Sequence, residues 1–119
     1  MFGIGVDLVK ISRLENLSEH QKIRMFSPLE LKEAEALSPL KQSEYFASRF
    51  AAKEAFSKAM GIGLVGFSLA EVAVIKSKSG VPSFIFCGKA KELVGSKTFM
   101  LSLSHEKEYT IAMVVCNEE

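Results

Sequence analysis

The sequence has few features that would assign a function at once. Its two cysteines, Cys87 and Cys116, form no CxxC pair, so we expect reduced core residues rather than a disulfide or zinc ligands. No run approaches the roughly 18 apolar residues that a membrane-spanning helix needs, and no basic segment precedes an apolar run at the amino terminus. These absences predict a cytoplasmic protein without a membrane span.

An excess of charge of one sign is also missing. The chain has 15 Lys+Arg and 14 Asp+Glu, so no overall field would select nucleic acid, and any anion binding must be local. No repeat or linker divides the 119 residues, which predicts one domain over 1–119. A chain of this length has little room for a deep private pocket. A site shared between subunits would remove that limit.

Two common site motifs are absent or misplaced. His105-Glu106 does not begin an HExxH zinc motif, because Tyr109 occupies the position of the second histidine. Residues 61–66 match GxGxxG, but a helical segment precedes them and strand-like segments follow, which reverses the order of a dinucleotide-binding unit. These glycines predict a helix stop and a turn whose backbone could approach a ligand.

Local patterns predict helices in the first half of the chain. Alternation predicts a strand over 2–9 whose even-numbered apolar residues face the core, which places Asp7 on the opposite face. Helical spacing predicts a first helix from Ile11 to about Ile23. A capping box at Ser27 and Glu30 predicts a second helix from 28 to about 37, stopped by 38–39, and the longest helix is expected at about 42–60.

The second half is dominated by strand-like runs. They are predicted at 72–75, 83–87, 98–103 and 109–116, with a short helix at 89–94. Helices that come first and strands that follow favour an α+β fold, with an antiparallel sheet packed against helices.

Glu54 and Lys58 are the first candidates for chemistry. They stand four residues apart on the long helix, where they could form an ordinary surface ion pair. Phe46 and Phe50 continue the same line toward the amino end of the helix, which suggests that the carboxylate is half-buried. A half-buried carboxylate beside a lysine suits a site for metal and phosphate.

Asp7 and His105 each allow two interpretations. Asp7 could cap the element that follows its strand, or it could converge with Glu54 and leave the rest of an octahedral Mg²⁺ shell to water and phosphate oxygens. His105 lies between two strand-like runs, where it could bind phosphate or simply be solvated. Neither residue decides the matter alone.

Three ordered segments together resemble the signatures of the holo-[acyl-carrier-protein] synthase family of 4′-phosphopantetheinyl transferases. The segments are Gly3-Ile-Gly-Val-Asp7, Phe46-Ala-Ser-Arg-Phe-Ala-Ala-Lys-Glu-Ala-Phe-Ser-Lys-Ala59 and Leu103-Ser-His105. The resemblance covers essentially the whole chain. It implies a compact α+β phosphopantetheinyl transferase fold and a homotrimer with active sites at its subunit interfaces.

The resemblance also implies a reaction and its residues. The family transfers 4′-phosphopantetheine from coenzyme A to a serine of apo acyl carrier protein, with Mg²⁺, and releases adenosine 3′,5′-bisphosphate. Asp7 and Glu54 would ligate the metal and Lys58 would contact phosphate, and these three form the expected catalytic set. Glu54 would accept the serine proton, directly or through a metal-bound water. Arg49, Gly61 and His105 would bind the coenzyme with Lys58.

An acidic carrier should dock on basic residues near the start of the chain. Arg13, Lys22 and Arg24 are the candidates, although neighbouring glutamates such as Glu15 and Glu19 dilute the patch. Two other functions use the same features. A Mg²⁺-dependent hydrolase of nucleotide pyrophosphates would need no carrier, and a non-catalytic trimeric module would bind the carrier without chemistry.

Overall fold

A computed structural model of the chain describes residues 2–118 as helices and antiparallel strands. The elements are β1 (Phe2–Lys10), a 3₁₀ turn (Ile11–Leu14), α1 (Glu19–Met25), α2 (Pro28–Glu35), α3 (Pro39–Met60), a second 3₁₀ turn (Leu69–Glu71), β2 (Val72–Lys76), β3 (Pro82–Phe86), α4 (Gly88–Val94), β4 (Thr98–His105) and β5 (Tyr109–Asn117).

The strands form two antiparallel sheets rather than a single one. One sheet has the order β1-β5-β4, and β2 pairs with β3 in the other. Helix α3 lies against β1 and β5, so it runs across one face of the larger sheet. The predicted α+β class, with helices packed on antiparallel strands, is confirmed.

Glycines in β1 allow α3 to approach the sheet closely. A Cβ atom at Gly5 would lie 2.0 Å from the carbonyl oxygen of Ala55, and one at Gly3 would lie 2.1 Å from that of Ala59. The predicted facing of β1 is therefore wrong. The odd-numbered face, with Asp7, lies toward α3, whereas Phe2 on the other face is 75% exposed. The alternating sequence shows that β1 has two different faces. The glycine face is the one that packs on α3, because only glycine lets the helix backbone come so close.

Gly5→Ala is expected to destabilise the protein because its methyl group would overlap helix backbone, which cannot rotate away. We expect a loss of about 3 kcal/mol in the free energy of unfolding, at the upper end of overpacking costs. Urea denaturation would measure it. Ser83→Ala in β3 is a useful control, because that residue is exposed on a strand and already carries a Cβ atom. A Gly5→Ala protein as stable as wild type would contradict the close approach.

The helix boundaries differ from the predictions at three places. The predicted first helix is broken, because Ser18 forms a capping box with Gln21 and begins α1 only at Glu19. Helix α2 begins at the predicted box and ends at Glu35. Ser38 then caps α3, which begins at Pro39 rather than 42. Residues 38–39 therefore separate α2 from α3 and also start α3.

The carboxyl end of α3 follows the prediction. Gly61 has a φ of 73° and ends the helix in the left-handed conformation. The strands and the short helix also lie where they were predicted, within one or two residues at most boundaries.

The core has two parts: a larger one, in which α3 packs against the larger sheet and against Phe26, Ala34 and Val74, and a smaller one around Phe56. Phe56 is fully buried among the rings of Phe67, Phe84, Phe86 and Phe99. Both cysteines are free thiols, and Cys116 is buried as predicted. Cys87 is exposed, so its predicted core position is wrong, because β3 ends before it and it caps α4 instead. Among residues 2–118, no helix is long and apolar enough to cross a bilayer.

Candidate active site

Asp7, Glu54 and Lys58 meet where β1 passes beside α3. The side chain of Asp7 is 16% exposed, on the glycine face of β1. Lys58 Nζ donates to the carbonyl oxygen of Val6 at 2.9 Å and lies 3.3 Å from Asp7 Oδ1. The lysine is thus held by the strand rather than acting only as a helical partner of Glu54. Its side chain remains 54% exposed, which leaves the ammonium group open to a ligand.

Glu54 has a carboxyl group that is harder to ionise than usual. Burial raises the pKa of its carboxyl group, and the nearby Asp7 carboxylate raises that pKa further, whereas Lys58 and Arg13 oppose the shift. The two acids are therefore close enough to interact, as the metal-site interpretation of Asp7 requires. A bound cation would relieve their mutual repulsion.

The donor set suits a hard cation such as Mg²⁺. Mg²⁺ takes carboxylate oxygens from one or two residues and completes its octahedral shell with water and phosphate oxygens. Two adjacent carboxylates meet that need. Within residues 2–118, no group of three or more histidine, cysteine or acidic side chains could hold a metal, so a richer protein cage is not formed there.

Basic residues flank the line of α3 that leads to Glu54. The Arg13 guanidinium carbon lies 5.8 Å from the ring centre of Phe50, and Lys22 Nζ lies 5.8 Å from that of Phe46. These two rings are one helical turn apart, and Glu54 is one turn further on. Arg13 therefore lies close enough to Glu54 to act on its carboxyl group, whereas Lys22 lies about two helical turns away and pairs with Glu19 at 3.3 Å.

Arg24 lines a different cleft of about 530 Å³. This cleft lies between α1 and the segment that follows Gly61, and its walls include Met25 and Phe67. Gly61 itself faces open space, since a Cβ atom there would meet nothing within 4 Å. The glycine segment therefore leaves its backbone accessible, as expected for a turn that approaches a ligand.

Arg49 and His105 lie together in another cleft of about 340 Å³. Arg49 precedes Glu54 by five residues, which places the two side chains about 140° apart around α3, on different flanks. His105 Nδ1 lies 3.8 Å from Glu44 Oε2, an ion pair only when the histidine is protonated. The structure thus separates the predicted coenzyme residues into two groups within one chain.

Two lysines in the Arg49 cleft were missed from the sequence. Lys41 and Lys76 line it with Arg49 and His105, so the cleft is rich in cationic groups. Lys41 precedes Arg49 by eight residues, and this helical spacing could have predicted a shared face. Lys76 ends β2, and no local pattern connects it with this cleft.

The chain is similar to known proteins over nearly its whole length. The family model described as the 4′-phosphopantetheinyl transferase superfamily matches residues 3–114. The holo-[acyl-carrier-protein] synthase of Geobacter metallireducens is 41% identical over 122 residues, covering 97% of this chain and 96% of that protein.

Solved structures extend the similarity to the fold. The synthase of Bacillus anthracis, solved in complex with CoA (3′,5′-ADP), has a TM-score of 0.86 and 32% identity and covers 98% of this chain and 96% of its own. The synthase of Neisseria meningitidis has a TM-score of 0.87 and 32% identity, with 98% of both chains covered. The chain belongs to the 4′-phosphopantetheinyl transferase superfamily.

Proposed function

We infer that this chain is a holo-[acyl-carrier-protein] synthase. It transfers 4′-phosphopantetheine from coenzyme A to a serine of apo acyl carrier protein and releases adenosine 3′,5′-bisphosphate. The convergence of Asp7, Glu54 and Lys58 beside α3 is the observation that supports this chemistry most directly. Relatives with this name match nearly the full length of the chain.

Asp7 and Glu54 would hold Mg²⁺ together with the coenzyme's pyrophosphate. The metal would neutralise charge on the phosphate oxygens when bound. The raised pKa of Glu54 supports this assignment, because a cation between the two carboxylates would offset both the burial of Glu54 and its repulsion by Asp7.

The chain's own residues have distinct tasks in the transfer. The carrier serine attacks the β-phosphorus, its proton passes to Glu54, and the bond to the bridging oxygen breaks as adenosine 3′,5′-bisphosphate leaves. Lys58 offsets the negative charge that develops on the phosphate oxygens. Its ammonium group is fixed by Val6 and Asp7, so it needs little rearrangement to do so.

The two flanks of α3 support an active site shared between copies in a homotrimer. One copy would supply Asp7, Glu54, Lys58 and Gly61, and its neighbour would supply the cationic Arg49 cleft for the coenzyme's other anionic groups. The outward face of the larger sheet could form the contact, because it exposes a row of large apolar residues. The row consists of Phe2, Ile4, Val6, Leu8, Met100, Ile111 and Met113.

Arg13, Lys22 and Arg24 are proposed to bind the acidic carrier. Arg13 and Lys22 lie over the phenylalanines that lead to Glu54, so a carrier held there would bring its serine toward the carboxylates. Charge reversal at these positions should therefore raise KM for the carrier more than KM for coenzyme A.

A mass measurement tests the reaction, its donor and its acceptor together. Purified protein, coenzyme A, Mg²⁺ and an apo carrier from fatty acid synthesis should yield a carrier heavier by one phosphopantetheine. No mass gain with several apo carriers would reject the function. A pyrophosphate hydrolase would instead release product without a carrier, and a binding module would hold the carrier whether or not Asp7 is replaced by alanine.

Complementation between inactive variants tests the shared site. Glu54→Ala and Arg49→Ala should each lose most activity, but co-expressed chains should regain part of it, because mixed trimers contain sites with both residues intact. Glu54→Ala co-expressed with Asp7→Ala is the control, since both variants damage the same half of the site. Equal recovery in the two mixtures, or none in either, would contradict a site built from two copies.

A further inference from the structure

Arg49 is a buried cation with few partners. Its residue is 7% exposed, and Nη1 donates to Ser48 Oγ at 3.0 Å. Its Nε is shielded from solvent and has no hydrogen-bond acceptor within residues 2–118. Arg49 also forms no ion pair with an acidic side chain among residues 2–118. Burying a guanidinium without a carboxylate is costly, so a compensating role at the cleft is expected.

Tyr45 supplies the closest support for this guanidinium. The Arg49 guanidinium carbon lies 3.9 Å from the centre of the Tyr45 ring, which is stacking distance. Both residues line the cleft that contains His105. A stacked ring limits the tilt of the guanidinium plane while leaving its N–H edges free to donate, which a carboxylate partner would not.

Tyr45 is itself anchored to the neighbouring helix. Its hydroxyl donates to Glu33 Oε1 at 2.6 Å, joining α3 to α2. Burial and this hydrogen bond to Glu33 both raise the pKa of Tyr45, so the hydroxyl remains a donor at neutral pH. The bond also commits the Glu33 carboxylate to the phenol, away from the guanidinium. Glu44, the acid among the residues that line the cleft, lies 3.8 Å from His105 Nδ1.

We propose that Tyr45 is a positioning residue for coenzyme binding. Stacked on Arg49 and anchored by Glu33, it holds the guanidinium in the orientation that meets an anionic group of coenzyme A. This inference rests on the proposed function, because it assigns the Arg49 cleft to the coenzyme. It adds a chain of three residues, Glu33, Tyr45 and Arg49, in which only the last touches the ligand.

The chain predicts graded effects on coenzyme affinity. Tyr45→Leu removes the stacking and should raise KM for coenzyme A about tenfold with kcat nearly unchanged, as expected for a loss of binding common to ground and transition states. Tyr45→Phe keeps the ring and loses the anchor, so a rise of about threefold is expected. Glu33→Gln on the surface of α2 should resemble Tyr45→Phe, and the two changes together should be less than additive.

The experiment measures KM and kcat for transfer, and the affinity for coenzyme A by calorimetry without carrier. Val94→Ala is the matched control, since it removes core volume around Phe56. It should lower stability without changing KM or the affinity for coenzyme A. The proposal is supported if affinity falls in the order wild type, Tyr45→Phe, Tyr45→Leu, with the control at the wild-type value.

Several results would overturn it. One is a KM for coenzyme A in Tyr45→Leu that stays within twofold of wild type. Another is a change in KM in Val94→Ala that equals the change in Tyr45→Leu when the two variants lose the same stability. If Tyr45→Leu does not fold, wild-type affinity in both Tyr45→Phe and Glu33→Gln rejects the proposal. A wild-type protein that transfers no phosphopantetheine would instead reject the proposed function, whereas active wild type with unaffected variants rejects only the positioning role.

Discussion

Glu54→Ala is expected to abolish phosphopantetheine transfer and to leave the fold nearly intact. The variant removes both a proposed metal ligand and the proposed acceptor of the serine proton. Loss of a general base alone typically costs about 10²–10⁴-fold in rate, so we expect at least about a 10³-fold decrease in kcat. Because Glu54 is only half-buried and its carboxylate is repelled by Asp7, stability should change by less than about 1 kcal/mol.

The measurement pairs the carrier mass assay with urea denaturation. Glu54→Gln keeps the size of the side chain and should be nearly as inactive, because an amide cannot accept the proton in the same way. Glu92→Ala on the exposed surface of α4 is a matched control that should retain full activity. Transfer at more than a tenth of the wild-type rate by Glu54→Ala would reject both roles assigned to this residue.

Lys53→Met is expected to cause the largest loss of stability. Lys53 and Glu30 have fully buried side chains, with Nζ 2.8 Å from Glu30 Oε1. Nζ also donates to the carbonyl oxygens of Leu69 and Val72. Burial lowers the pKa of Lys53, and the Glu30 charge opposes that shift. Removal of the lysine would leave a buried carboxylate unpaired, which costs about 3–5 kcal/mol.

The cost should depend on which partner remains. Glu30 also accepts from the backbone N–H groups of Ser27 and Val74, at 2.9 and 3.0 Å, so it connects α2 and β2 to α3. The double variant Glu30→Met with Lys53→Met removes both charges, and we expect it to lose less stability than the two single variants added together. Urea denaturation of the four proteins at one protein concentration measures the interaction free energy between Glu30 and Lys53. Lys91→Met, at an exposed position, is the control. Strict additivity would contradict a mutual compensation of charge.

Features that depend only on neighbouring residues could be predicted from the sequence. The capping box at Ser27 and the left-handed Gly61 follow from backbone hydrogen bonding and φ alone, so both were found. The convergence of Asp7 with Glu54 was one of two alternatives, and in the structure the Asp7 carboxylate is near enough to raise the pKa of Glu54. The resemblance of the ordered segments then connected residues that no single spacing would have joined.

Tertiary contacts explain what the sequence left out. Lys53 stands beside Glu54 in a polar-looking stretch, yet it is the buried residue of the two, and its partner lies 23 positions away. The facing of β1 depended on the distance between a strand and a helix backbone, which alternation does not encode. Likewise, Tyr45 reads as an ordinary helical aromatic until Glu33 and Arg49 are placed on either side of it.

The apolar outer face of the larger sheet has a consequence for how the enzyme is controlled. A folded chain that has not met its neighbours presents Phe2 and Met100 to water at 75% and 73% exposure. Under the proposed assembly, such a chain also carries only half of each site. Turnover per chain would then decrease on dilution, and newly synthesised chains would become active only after association. The amount of enzyme made would therefore set not only the number of active sites but also the fraction of chains that work.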